Sequence, residues 1–396
     1  MNNIRSKFPA LNNEKVIYFD SACTTLKPRQ VIDAMNEYYN FSGCHKRGSH
    51  FFSQKTTEIY EKSRGKIQKF INARYINEVI FTKNTTEAIN LLSRSFSFKK
   101  NDIVLTTDIE HNSNFLPWMA LAAKNEITHR IVPVNDDLTF NLGSLAKILE
   151  NNKITLLSVL HTSNLSGVTF PVKEIISLAH QNGALVLLDG AQSVAHQKID
   201  VRELDVDFFA FSAHKMFGPP GTGILYGKKH LMENLSPFIV GGETAEDVNM
   251  NDFVISSLPD KFEAGIQNYP GVIGTMEAIN FIESIGVEKI HSHLTGLNIY
   301  LTQKMSEENI EIIGPKDAKS RGNIFNFICN KFDSVQLAQI IDEAKKIMVR
   351  AGVHCVHSWF NQTHKPASIR ISFQIYNTTE EIDTFYETFK KVMQYY

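Results

Sequence analysis

An α/β fold, with a mostly parallel central sheet flanked by helices and a smaller α+β domain toward the C-terminus, is what the order of apolar segments predicts. Three observations lead there. Short runs rich in β-branched and aromatic residues alternate with helix-length amphipathic stretches through the first two-thirds of the chain. Strands separated by helix-length connections pair in parallel, and a parallel sheet needs helices on both faces. Near Gly286 the alternation gives way to a different order, and 396 residues suit a large domain plus a smaller one better than a single small core.

The expected strands of the large sheet span residues 78–82, 103–107, 155–160, 184–188, 208–211 and 223–226. Helical patterns at 86–96, 114–124 and 172–181 lie between several of them. After Gly286 come a long polar-faced helix, a strand-like run at 323–328, a helix at 334–345, a strand-like run at 368–373 and a closing helix at 379–393. This order assigns 15–286 to the large α/β domain, and 1–14 with 287–396 to the small one. No repeat, low-complexity tract or Pro/Ser-rich linker marks the boundary.

Composition excludes more than it identifies. Hydrophobic residues make up 43% and charged residues 21%, as in ordinary soluble proteins. With 41 basic and 42 acidic side chains the formal charge is −1, which gives no electrostatic footing for nucleic acid. The first residues carry no apolar run of signal-peptide length and no stretch reads as a bilayer span, so a cytoplasmic protein without a membrane partner is expected. Cys23, Cys44, Cys329 and Cys355 lie far apart without CxxC spacing, which argues against a zinc site or a disulfide framework. His354, Cys355 and His357 have no fourth ligand at a recognisable spacing, so no metal is expected. The run Gly218–Gly223 superficially resembles a phosphate-binding P-loop, but a strand-like Ile224-Leu225-Tyr226 follows where Lys-Ser/Thr and a helix are required.

Ligands of open α/β sheets bind beyond the carboxyl ends of the strands. Polar residues gather there: Thr85-Thr86, Glu110-His111-Asn112, Asn164, Asp189 with Gln192, and Ser212-His214-Lys215. Asp189 closes the apolar run Ala-Leu-Val-Leu-Leu, where an unpaired carboxylate is costly. A helix cap is the plain explanation; a partner for a protonated pyridine nitrogen is the functional one. Lys215 follows the apolar Phe-Ala-Phe-Ser-Ala-His, surroundings in which a lysine gives up its charge and becomes a Schiff-base nucleophile. Together the two favour pyridoxal 5′-phosphate (PLP).

The segments FDSACTTLKP, FTKNTTEAINLL, EHNSNFLPW, LLDGAQSVAH, FFAFSAHKMFGPPGTGILYG, FEAG and RAGVHC resemble the class V aminotransferase superfamily of fold-type I PLP-dependent transferases. Within it they resemble the group II cysteine desulfurases, the SUF-type and selenocysteine-lyase-like branch. The resemblance implies that Lys215 links the cofactor, Asp189 pairs with its ring nitrogen, Gln192 bonds its phenolic oxygen, and His111 stacks on its face and serves as a catalytic proton shuttle. Thr86, Ser212 and His214 match the phosphate-binding set, and Thr86 is expected to open a helix whose free N–H groups favour an anion. Asn164 matches a residue contacting substrate or cofactor oxygen, and Arg370 the arginine that clamps the substrate carboxylate, with Arg350 beside it.

Cys355 stands in Arg350-Ala-Gly-Val-His-Cys355, read as a Gly-containing turn, fifteen residues before Arg370. A lone cysteine is ordinarily a small buried hydrophobe; its place in this pattern makes it the sulfur-accepting nucleophile, with His354 and Arg350 expected to favour the thiolate. Cys329 reads as core. Cys23 and Cys44 lie in segments that border the active site in the family and are read as non-catalytic. The implied reaction converts L-cysteine to L-alanine and leaves a persulfide on Cys355 for an external acceptor serving iron–sulfur cluster or other sulfur biosynthesis. A homodimer is expected, with residues 241–263 as a hairpin reaching the neighbouring site. Departures from the family stand out: Ile266 and Gln267 follow FEAG where Thr and Pro are usual, Val353-His354-Cys355-Val356-His357 stands where His-His-Cys-Ala-Gln is common, and Lys46 stands near a usual histidine. The rival readings are a selenocysteine lyase or other class V PLP lyase, and a non-catalytic scaffold for sulfur-transfer proteins.

Overall fold

The structure, a computed structural model, describes residues 4–12 and 15–395. Residues 1–3, 13, 14 and 396, which the sequence reading assigned to the small domain, lie outside the described residues. Two short helical turns, Arg5–Lys7 and Pro9–Asn12, precede a short strand, β1 (Ile17–Tyr18), and two helices, Arg29–Tyr39 and Phe51–Phe70. Seven strands then form one sheet: β2 (Val79–Thr82), β3 (Ile103–Thr107), β4 (Thr128–Val132), β5 (Leu156–Leu160), β6 (Leu185–Asp189), β7 (Phe208–Ser212) and β8 (Gly223–Gly227). Their spatial order is β2-β8-β7-β6-β5-β3-β4.

All of these strands run parallel except β8, which is antiparallel to both β7 and β2. The cause is local: residues 213–222 are too few for the crossover that a parallel return requires. Every residue of β5, β7 and β8 is buried, so both faces of the sheet are covered and the strands read as unbroken apolar runs. The edge strand β4 is different. His129 and Arg130 interrupt it and most of it is exposed, which is why the sequence reading passed over it.

The expected hairpin is present as β9 (Ala245–Val248) and β10 (Phe253–Ile255), paired antiparallel. Farther on, β11 (Glu311–Ile312) and β12 (Ile324–Ile328) precede β13 (Ile347–Met348), β14 (Arg350–Gly352) and β15 (Ser368–Ser372). Four of these form an antiparallel sheet in the order β11-β12-β15-β14, while β13 pairs with β1. Helices Val287–Lys304, Ser334–Lys345 and Thr379–Tyr395 pack around it.

Two details place this second sheet over the carboxyl ends of the first. Asn326 Nδ2 donates to the Leu165 carbonyl (2.9 Å), just beyond β5. Asn164 Nδ2, beyond the same strand, donates to the His354 carbonyl (2.7 Å), just after β14. In the register of β14 and β15, Arg350 lies directly opposite Arg370, so both side chains leave one face of the sheet. The sequence reading had a turn at 350–355; the chain instead pairs as a strand through Gly352 and turns only afterwards.

Candidate active site

The carboxyl ends of β3, β5, β6 and β7, with β14 and β15 opposite, enclose a cavity of about 240 Å³. Lys215 enters it from a single 3₁₀ turn, Ala213–Lys215, immediately after β7. The preceding peptide is held tightly: the His214 carbonyl accepts from Thr25 N–H (3.0 Å), Thr24 Oγ1 (3.1 Å) and Lys27 Nζ (3.0 Å). Burial lowers the pKa of Lys215, with the Asp189 carboxylate pulling the other way. A neutral amine is the form that attacks a carbonyl carbon.

Asp189 ends β6 and is buried; its Oδ1 accepts the Ala191 N–H (2.9 Å). Desolvation raises its pKa, while that hydrogen bond and the Lys215 ammonium oppose the rise. Gln192 Nε2 donates to the Ala22 carbonyl (2.8 Å), which ties the loop after β6 to the segment after β1. His111 caps the helix Asn112–Ala123, its Nδ1 accepting from Ser113 N–H (3.1 Å). Burial, then the cations Lys215, Arg370 and Arg350, push its pKa down to about 3, so the ring stays neutral.

Beside His111, Glu110 carries a role that the sequence reading missed. Its fully buried carboxyl accepts from Thr107 Oγ1 (2.7 Å), Asn114 Nδ2 (2.7 Å) and Leu160 N–H (3.1 Å). It staples the ends of β3 and β5 to the first turn of the helix that carries His111. Burial pushes its pKa up to about 8.

One end of the cavity is a cup of hydroxyls at a helix N-terminus. The helix begins at Thr85, not Thr86, with Asn84 Oδ1 capping Glu87 N–H (2.9 Å). Ser212 Oγ accepts the Thr85 N–H (2.8 Å) and lies 2.7 Å from Thr85 Oγ1, while Thr86 Oγ1 lies 2.7 Å from Ser113 Oγ. His214 lines the same end and is held neutral, its pKa lowered to about 4 by burial. Gly223 makes the cup possible, because a Cβ there would sit 2.5–2.7 Å from the Asn84 backbone. That strand-forming glycine belongs to the run that superficially resembled a P-loop.

On the opposite wall Arg370, 3% exposed, donates through Nη1 to the Asn164 carbonyl (3.0 Å) and through Nη2 to Asp20 Oδ1 (3.3 Å). Its Nε has no partner. Asn164 in turn donates through Nδ2 to the His354 carbonyl (2.7 Å), and Asn112 N–H to the Cys355 carbonyl (2.7 Å). These two bonds hold a turn in which His354 (φ 50°) and Cys355 (φ 59°) are both left-handed. Each such non-glycine residue costs on the order of 1–3 kcal/mol, a strain that functional sites tolerate.

The expectation that His354 helps to form the Cys355 thiolate is overturned. His354 is buried with Nε2 2.9 Å from Ser368 Oγ, and burial together with Arg370 and Arg350 drives its pKa down to about 2. It contributes no positive charge. Arg350 is occupied elsewhere: its Nη1 donates to Cys23 Sγ (3.0 Å) and stands 3.8 Å from Asp20. Cys23 therefore lines the cavity with Cys355, whereas Cys329 is buried beside Met393 and Cys44 lies outside.

The cavity fits a PLP-sized aromatic phosphate. It presents one amine for a Schiff base, one buried carboxylate at a strand end, and hydroxyls at a helix N-terminus for an anion. Among the described residues no cluster of His, Cys, Asp and Glu suits a metal ion.

Comparison with known proteins agrees with this geometry. Residues 17–385 match the aminotransferase class-V family. The chain belongs to that family. PLP is the cofactor that this membership implies. A probable cysteine desulfurase of Halalkalibacterium halodurans is 38% identical, over 99% of this chain and 98% of its own length. One from Pyrococcus abyssi is 37% identical, over 97% and 95%. Among solved structures, the apo cysteine desulfurase of Thermococcus onnurineus superposes with a TM-score of 0.95 at 34% identity, covering 99% of this chain and 98% of that one. The Escherichia coli cysteine desulfurase CsdA gives 0.90 at 28%, covering 98% and 97%. The family's usual threonine after FEAG is here Ile266, which is exposed, and Lys46 pairs with Asp260 (3.0 Å) at the surface.

Proposed function

We propose that the chain is a PLP-dependent cysteine desulfurase of the group II branch, converting L-cysteine to L-alanine with Cys355 as sulfur acceptor. The observation that carries the reading is the meeting of four chemistries in one cavity: the Lys215 amine, the Asp189 carboxylate, the Arg370 guanidinium and the Cys355 thiol. The cofactor would be held by Lys215, by Asp189 at the ring nitrogen, by Gln192 and His111 around the ring, and by Thr86, Ser212 and His214 at the phosphate, with Thr85 added. When bound, PLP supplies an electron sink for bonds at the substrate's α- and β-carbons.

Each remaining task falls to a residue of the chain. Arg370 receives the substrate carboxylate with its free Nε, while Asn164 fixes its orientation from behind and Arg350 adds positive charge. Lys215, whose pKa burial lowers, takes the proton from the substrate α-carbon. The Cys355 sulfur attacks the substrate sulfur; the Cβ–S bond breaks, a persulfide forms on Cys355, and the carbon fragment takes up a proton and leaves as alanine. Sulfur then passes to an external acceptor for iron–sulfur cluster or other sulfur biosynthesis. The cytoplasm suits a free thiol nucleophile, and no helix among the described residues is long and apolar enough to cross a membrane.

The test is to incubate PLP-loaded protein with L-cysteine and a reductant. Alanine and sulfide should appear in equal amounts, and neither should appear with Lys215→Ala. Pyruvate with ammonia would overturn the reading. The division into domains 15–286 and 1–14 with 287–396 is supported by the seven-stranded sheet lying in the first and the four-stranded sheet in the second, while β1 pairs with β13 across it. A homodimer is supported by the β9–β10 hairpin, which exposes Val248, Met250, Phe253 and Val254. Light scattering should give twice the chain mass; an active monomer would exclude it.

A further inference from the structure

Cys23 is a nucleophile in the active cavity for which the reaction above has no use. Far from Cys355 in sequence, it lines the same space of about 240 Å³. Both thiols are free and half-buried, and both line the cavity together with Lys215. Cys23 is also held from the strand that leads into the Cys355 turn: Arg350 Nη1 donates to its Sγ at 3.0 Å.

The charges around it leave room for an anion. Arg350 and Arg370 face each other across β14 and β15, and Asp20 reaches both, at 3.8 and 3.3 Å. Two guanidinium groups thus share one carboxylate, and the Nε of the buried Arg370 has no partner. While substrate is bound, its carboxylate balances that excess. Once alanine has left, the excess returns, and a persulfide anion is the negative group at hand.

We infer that Cys23 is a second sulfur-carrying thiol of this site, taking the outer sulfur from the Cys355 persulfide so that one chain stores two sulfur atoms. The step is thiol exchange and needs no oxidant. The Cys23 thiolate attacks the terminal sulfur of Cys355–S–SH; the new S–S bond forms on Cys23, the old one breaks, and its electron pair leaves with Cys355 as thiolate. A persulfide carries its outer sulfur about 2 Å beyond Sγ, which shortens the gap to be crossed. Cys355 is then ready for another molecule of L-cysteine, and Arg350 balances the charge of the stored persulfide.

This inference rests on the desulfurase reading, and the experiment separates the two. PLP-loaded protein is mixed with excess L-cysteine without reductant or acceptor. Alanine is counted per chain, and alkylated peptides are examined by mass spectrometry. The relay requires two alanines per chain, with one extra sulfur on the Cys23 peptide and one on the Cys355 peptide. Cys23→Ala and Cys23→Ser should each stop at one alanine, with the sulfur on Cys355. Wild-type protein that stops at one alanine, or that carries both sulfurs as a chain on Cys355, overturns the relay and leaves the desulfurase intact. Wild-type protein that forms no alanine sinks the desulfurase reading and the relay with it.

Discussion

Arg64 and Arg370 are both almost completely buried and meet opposite treatment. Arg64, on the helix Phe51–Phe70, donates to both oxygens of Glu263 (2.7 and 2.8 Å), to the Val79 carbonyl (2.8 Å) and to Glu61 (3.2 Å). Glu263, the glutamate of the FEAG segment, also accepts from Tyr60 and from Phe81 N–H. Despite desolvation, the carboxylate holds the Arg64 pKa above its ordinary value. Arg370 donates one long bond to Asp20 and one to a backbone carbonyl, has no partner at Nε, and burial drags its pKa below the ordinary value. A buried charge that is fully paired belongs to the scaffold. Arg370 also lines the cavity, and there the missing partner leaves it ready for a ligand, at a cost in stability that function explains.

The comparison can be broken at either end. Arg64→Ala leaves Glu263 buried without its counter-ion, and loss of one partner of such a pair costs about 3–5 kcal/mol. The urea midpoint should fall sharply, and an unchanged midpoint would show that the pair does not hold FEAG against β2. Arg370→Ala should act on binding: removing a desolvated carboxylate partner is worth about 2–5 kcal/mol. KM for L-cysteine should rise far more than kcat falls, while stability changes much less than in Arg64→Ala. Equal losses of stability in the two variants would erase the distinction.

A smaller effect sharpens it through pH. Folded His111 has a pKa of about 3 against an ordinary 6.5. Between those values the unfolded chain binds a proton that the folded chain does not, so this group withdraws stability as pH falls through that window. His111→Gln should therefore flatten the loss of stability between about pH 6.5 and pH 3. Identical slopes in variant and wild type would mean that the imidazole is charged in the folded protein.

Legibility followed the same line between satisfied and unsatisfied groups. Asp189 and Lys215 stood out in the sequence because a charge at the end of an apolar strand is conspicuous on its own. Glu110 did not: its satisfaction comes from Leu160 and Asn114, and no local pattern announces a carboxyl that distant donors will enclose. Lys27 and Asp20 escaped for the same reason, since Lys27 serves the His214 carbonyl and Asp20 the arginines of β14 and β15. His354 misled, because its neighbours in sequence suggested a cation while its neighbours in space keep it neutral.

By itself the sequence determined the buried strands β2, β3, β5, β6, β7 and β8, the helices Val172–Gln181 and Ser334–Lys345, and the gathering of polar residues at the strand ends. Those features are written in local periodicity, which depends only on which faces must leave water. The helices Arg29–Tyr39, Phe51–Phe70 and Leu142–Asn151 were passed over, as was the exposed edge strand β4. Tertiary structure alone decided that Arg350 faces Arg370 and that Cys23 shares a cavity with Cys355. Each of these depends on a pairing between segments far apart in the chain, and such pairings are fixed by packing and by the charges that packing must leave balanced.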